Sequence, residues 1–129
     1  MSLTMNAYVL EERDIDESMM FNSLIGELID LPSNHQEICH WRRNYKLNEF
    51  ISNHIYTKRN IENVGSLNGS FLILTYQDIL LIEKNIKEIE SHSYVSIDTK
   101  ELKKKNKMFL NGAKAALESG KVVVYRGHW

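Results

Sequence analysis

Apolar positions along the chain fall into short clusters whose spacing switches between two and about 3.6 residues, and each switch marks a predicted element. Ala7-Tyr8-Val9-Leu10 is a brief apolar run that suits an edge strand or the lead-in to the first helix, and strand is the preferred reading. Asp14 with Glu17 fits a capping box, and Met19, Met20, Phe21, Leu24, Ile25, Leu28 and Ile29 then recur at helical spacing as far as Pro32. This predicts a first helix from about Ile15 to Asp30. Beyond Pro32, Ser33 with Gln36 or Asn34 with Glu37 offers a second cap, leading a helix that carries His40 to Phe50 and fades near Thr57. A turn of about 100° per residue gathers Asn44, Leu47, Ile51 and Ile55 in one arc, with Trp41 and Phe50 on its shoulders. Arg42, Lys46, Glu49 and Asn53 project on the opposite side.

The second half of the pattern is sharper. Residues 58–70 hold Asn60, Asn63, Gly65, Ser66, Asn68 and Gly69, the chemistry of a loop. Phe71-Leu72-Ile73-Leu74 reads as a strand, and Thr75 with Asp78 forms a capping box stapled by Leu74 and Ile79. Ile79, Ile82, Ile86 and Ile89 stripe the helix that follows. The device repeats: Tyr94-Val95-Ser96-Ile97 reads as a strand, and Asp98 with Glu101 caps a helix starting near Thr99. That helix carries Leu102, Phe109, Leu110, Ala113, Ala116 and Leu117, and Gly120 stands at its left-handed end. A β-branched strand, Val122 to Tyr125, follows, and the chain ends on Trp129. The expected fold is α+β, with about four helices packed on one face of a small sheet of short strands.

Composition changes this picture little. With 129 residues, 43% hydrophobic and 26% charged, the chain suits one domain spanning 1–129 and can bury a core. Met1 to Leu3 and Met5 are set aside as vector-like sequence. A formal charge of −1 gives no global attraction to polyanions, so a nucleic-acid role requires a local basic patch. Cys39, the single cysteine, excludes an internal disulfide and reads as a small buried apolar residue. Without a leader-like start or a long apolar run, the expected compartment is the cytoplasm and no membrane partner is implied.

Candidate chemistry is sparse. The phosphate-binding patterns G-x-x-x-x-G-K-[ST] and G-x-G-x-x-G are absent from the sequence, as is the nucleophile elbow G-x-S-x-G. The five histidines never adopt H-x-x-x-H or H-E-x-x-H spacing. No catalytic residue, metal ligand or cofactor is therefore assigned. Binding is read into Trp41, Arg42, Arg43, Lys46 and Trp129, because Trp and Arg dominate interface hot spots. A nucleic-acid alternative uses Arg42 and Arg43 with Lys103, Lys104 and Lys107 of the densest basic run.

Two islands carry a resemblance. Trp41-Arg42-Arg43 with Leu47, Asn48, Phe50 and Ile51 resembles the W-R-[KR] helix of a group of small uncharacterised tailed-bacteriophage proteins. Ala116-Leu117, Gly120-Lys121, Val123, Tyr125 and Trp129 resemble that group's A-L-x-x-G-K-x-V-x-Y terminus, which also closes on tryptophan. The chain departs from the group at His40, where tyrosine is usual, at Asn48, where histidine is common, and at Phe50, where a second tryptophan is common. The resemblance implies expression in a bacterial host cytoplasm. Some members are labelled phosphoglycerate kinase, an activity that requires a two-domain nucleotide-binding body much longer than this chain. The expected role is thus a non-enzymatic accessory protein binding a host or phage protein, with self-association as a homodimer and nucleic-acid binding behind it.

Overall fold

A computed structural model describes residues 3–23, 26–61, 65–91 and 99–129. Six strands form one antiparallel sheet: β1 Thr4–Leu10, β2 Met20–Asn22, β3 Glu27–Leu28, β4 His35–Arg42, β5 Phe71–Leu74 and β6 Val122–His128, in the order β2-β3-β5-β6-β1-β4. Three helical stretches cover one face. The first, α1, runs through an α-helical Tyr45–Ile51, a π-helical Ser52–Tyr56 and a last turn Thr57–Arg59. The others are α2, Tyr76–Ser91, and α3, Thr99–Glu118.

The α+β class holds, but the sheet is larger than the pattern predicts. The N-terminal strand is interior rather than an edge. It pairs along its length with β6 and β4, and Met5, Ala7 and Val9 enter the helix-side core. Leu3 and Met5, set aside at the sequence level, are fully buried there.

The predicted helix from Ile15 to Asp30 does not form. Asp16, not Asp14, caps a single 3-10 turn, Glu17–Met19, by accepting from the Ser18 amide at 2.7 Å. Gly26, at φ +72°, then reverses the chain so that β2 and β3 pair and β3 joins β5. Of the described residues that mimic a helical stripe, Met20 and Leu28 serve the other face of the sheet. Leu28 is buried with Leu10 and Val124, and Ile15, Met20 and Leu31 pack around them. Tertiary burial overrides the local periodicity, because a short apolar cluster satisfies either template.

The second predicted helix is half strand. From His35 to Arg42 the chain alternates, with Cys39 and Trp41 inward and His40 and Arg42 outward, so β4 and not a helix holds Trp41. Arg43, at φ +59°, turns the chain, and its amide donates to Leu3 O at 2.9 Å. Asn44 is then the first cap residue of α1 rather than a member of its apolar arc. Leu47, Ile51 and Ile55 do face the core as expected.

The remaining expectations match. Phe71–Leu74 is a strand, Thr75 Oγ1 accepts from the Asp78 amide at 3.2 Å, and Asp78 Oδ2 accepts from the Thr75 amide at 2.7 Å. Ile79, Ile82 and Ile89 are buried, and Gly120, at φ +79°, ends α3. The strand predicted at Tyr94 to Ile97 and the cap at Asp98 lie outside the described residues.

Candidate interaction site

Trp41 is wholly buried and meets Phe109 edge-on, with ring centroids 4.9 Å apart. Its indole N–H donates at 3.0 Å to Asn106 Oδ1, which also accepts from Asn44 Nδ2 at 2.8 Å. Asn106 in turn donates through Nδ2 to Glu90 Oε2 at 2.9 Å. One buried amide thus ties β4, the start of α1, α2 and α3 together, and Trp41 serves packing, not the surface.

The other predicted binding residues separate. Arg42 is exposed and in register with Thr4, which is itself in register with His128. Since Met5 and Trp41 point to the helices, this row points away from them. Lys103, Lys104 and Lys107 are exposed on α3, which packs against the helix-side face of the sheet. Lys103 and Lys107 share a flank with Lys114, whose ammonium pairs at 2.5 Å with Glu83 of α2. Arg42 and these lysines therefore lie on opposite sides of the sheet.

Lys46 and Trp129 come closest to sharing a surface, on either side of α1. A groove of about 440 Å³ between α1 and α2 is lined by Lys46, Phe50, His54, Lys58, Asn85 and Glu88, with the Phe50 and His54 rings stacked 4.6 Å apart. A second groove, about 490 Å³, is lined by Leu3, Tyr45, Asn48, Ser52 and Trp129. Glu49 and Asn53 border both and form the ridge between them. Lys46 and Glu49 pair across one turn at 3.7 Å.

The ridge is held from below and from its end. At the π-helical segment the Thr57 hydroxyl donates to Ser52 O at 2.7 Å and the Thr57 amide reaches the same carbonyl. Insertion of this kind widens a helix locally and recurs at functional sites. Asn48 Oδ1 accepts from the Tyr125 hydroxyl, and a side chain at Gly127 would collide with that same oxygen. This contact ties α1 to β6. Trp129, 38% exposed, is pinned through its backbone: its amide donates to Asn68 Oδ1 at 3.0 Å and its carbonyl accepts from Asn68 Nδ2 at 2.9 Å.

Of this surface, sequence reasoning named Lys46 and Trp129 and missed Leu3, Tyr45, Asn48 and Ser52. The signal for α1 was available, since Tyr45, Glu49 and Asn53 are spaced by four along the outward side of the helix. Leu3 carried none, because only the sheet places it beside Trp129. Among the described residues no group of three or more His, Cys, Asp or Glu is placed to hold a metal ion, and no helix is long and apolar enough to cross a membrane. No family model, curated protein or solved structure matches the chain.

Proposed function

We propose that the chain is a non-enzymatic interaction protein that binds a host or phage protein through the paired grooves flanking α1, with Trp129 as the anchor. The observation that carries this reading is the half-exposed Trp129, held by two backbone hydrogen bonds to Asn68 at the mouth of an apolar groove. A preordered aromatic loses little freedom when covered, and such residues dominate binding energy. The partner's fitting element is a short segment presenting an apolar side chain to Leu3, Tyr45 and Trp129, with polar groups set against Asn48 and Asn53.

Affinity capture from infected host lysate with the wild type, Trp129→Ala and Arg42→Ala tests it. The expected result is a defined protein held by the wild type and by Arg42→Ala but released by Trp129→Ala, at a loss of about 2 kcal/mol or more on titration of the purified pair. Equal retention by the wild type and Trp129→Ala rejects the grooves as the site.

A second reading, nucleic-acid binding, draws support from a different surface. On the face away from the helices, His40, Asn6, Arg126 and Phe71 form one cross-strand row beside Arg42, Thr4 and His128. The Arg126 guanidinium lies 4.9 Å from the Phe71 ring centre, and its Nε is buried with no hydrogen-bond partner among the described residues. This reading replaces the α3 lysines with Arg126. It requires gel retardation of single-stranded DNA that weakens with salt and with Arg126→Ala.

A further inference from the structure

Glu27 on β3 is 2% exposed, and its Oε1 has no hydrogen-bond partner among the described residues. The carboxylate receives the Tyr56 hydroxyl, and together they push that phenol up to about 12, with burial the larger cause. None of the ion pairs among the described residues involves Glu27. The Arg59 guanidinium pairs with Asp78 and donates to Ile73 O. A buried carboxylate oxygen without a donor is expensive, and a donor supplied from outside removes that cost.

Glu27 lines a cavity of about 260 Å³ together with Gly65, Ser66 and Asn68. Phe21 and Ile29, 48% and 59% exposed, form its apolar rim. Gly65 closes the side nearest the carboxylate at φ +79°, where an added Cβ would stand 3.0 Å from the Phe21 ring and 3.5 Å from Glu27 Oε2. A side chain at 65 would therefore crowd the Phe21 ring and fill the space beside Glu27 Oε2. Residues 66–70 are held in place: the Ser70 hydroxyl donates to Ser66 O at 2.7 Å, and the Gly69 amide donates to Gly127 O at 2.8 Å.

We propose that this cavity binds a primary ammonium group carried on a compact apolar body, the ammonium at the Glu27 carboxylate and the body against Phe21 and Ile29. An ammonium supplies both the missing donor and the missing countercharge, which a neutral hydroxyl or amide does not. The aromatic rim adds attraction for a cation on its way in. The cavity shares no lining residue with the grooves around α1, although Asn68 of its wall also holds the backbone of Trp129.

Benzylamine, benzylammonium at neutral pH, is the probe, and benzyl alcohol its neutral counterpart, each titrated into the full chain by amide NMR. Benzylammonium is expected to shift the Glu27, Gly65 and Gly69 amides saturably, with benzyl alcohol weaker by about tenfold, the factor expected for one charge-assisted hydrogen bond. Glu27→Gln should abolish the response, and Phe21→Ala, which alters only the exposed rim, should weaken it several-fold. Equal responses to amine and alcohol overturn the proposal, as does a response unchanged in either variant or no saturable shift with benzylamine. If Glu27→Gln does not fold, the amine-to-alcohol ratio and Phe21→Ala decide.

Discussion

Asn106 shows how one residue holds distant elements together. It is 1% exposed, accepts from both Trp41 and Asn44, and donates to Glu90. Asn106→Leu keeps the volume but strands a buried indole N–H and a buried amide, each costing about 1 to 3 kcal/mol when unpaired. Urea unfolding should therefore show a loss of about 2 to 4 kcal/mol with an unchanged slope. A loss under about 0.5 kcal/mol would mean that water replaces the amide. The sequence placed Asn44 among apolar positions; it is buried, but as the cap of α1, and it donates to Asn106. The sequence could not name Asn106, sixty-two positions away, because side-chain pairing at that separation leaves no local pattern. Cys39 follows its composition: it is buried, and desolvation lifts its thiol to about 11.

Among the elements, the start of α2 was the most legible. Thr75, Asp78, Leu74 and Ile79 are all close in sequence and cooperate without help from the rest of the fold. Asp78 also receives Arg59 from the last turn of α1, a contact no capping rule contains. The two substitutions therefore separate local from tertiary effects. Thr75→Ala loses one cap acceptor and should cost about 1 kcal/mol. Asp78→Ala also removes the carboxylate that pairs with the half-buried Arg59 and should cost about 2 to 3 kcal/mol by thermal or urea unfolding. Equal losses would show that the Arg59 pair contributes nothing. The segment from Ile15 to Leu31 went the other way. Its apolar spacing suits a helix, yet Asp16 turns the chain early, Gly26 reverses it, and Leu28 finds its burial against Leu10 and Val124 of other strands.

Across the whole molecule, burial sets a response to alkali. Tyr56 is pushed to about 12 and Cys39 to about 11, and Tyr125 is raised well above its ordinary value, desolvation being the largest cause in each. All three bind a proton more tightly folded than unfolded. Above the unfolded values of about 10 for tyrosine and 8.5 for cysteine, the unfolded chain releases protons first, so stability falls as pH rises. That contribution is whole below those values and is lost as pH climbs through the folded ones. Unfolding midpoints measured from pH 8 to 12 should drop most steeply above about pH 9, and tyrosinate absorbance should rise together with loss of helix signal. A flat midpoint over that range would count against these burials. By itself the sequence determined the α+β class, the start of α2, the end of α3, the final strand and the inward Leu47, Ile51 and Ile55, because caps, glycine ends and helical stripes are encoded within a few residues. Only the tertiary structure decided that His35 to Arg42 is a strand, that Leu3 belongs to the core, that Trp41 is hidden while Trp129 borders a groove, and that Glu27 is buried with an oxygen unpaired. Those outcomes depend on strands pairing across the length of the chain, where burial between distant segments outweighs the short-range preference of each.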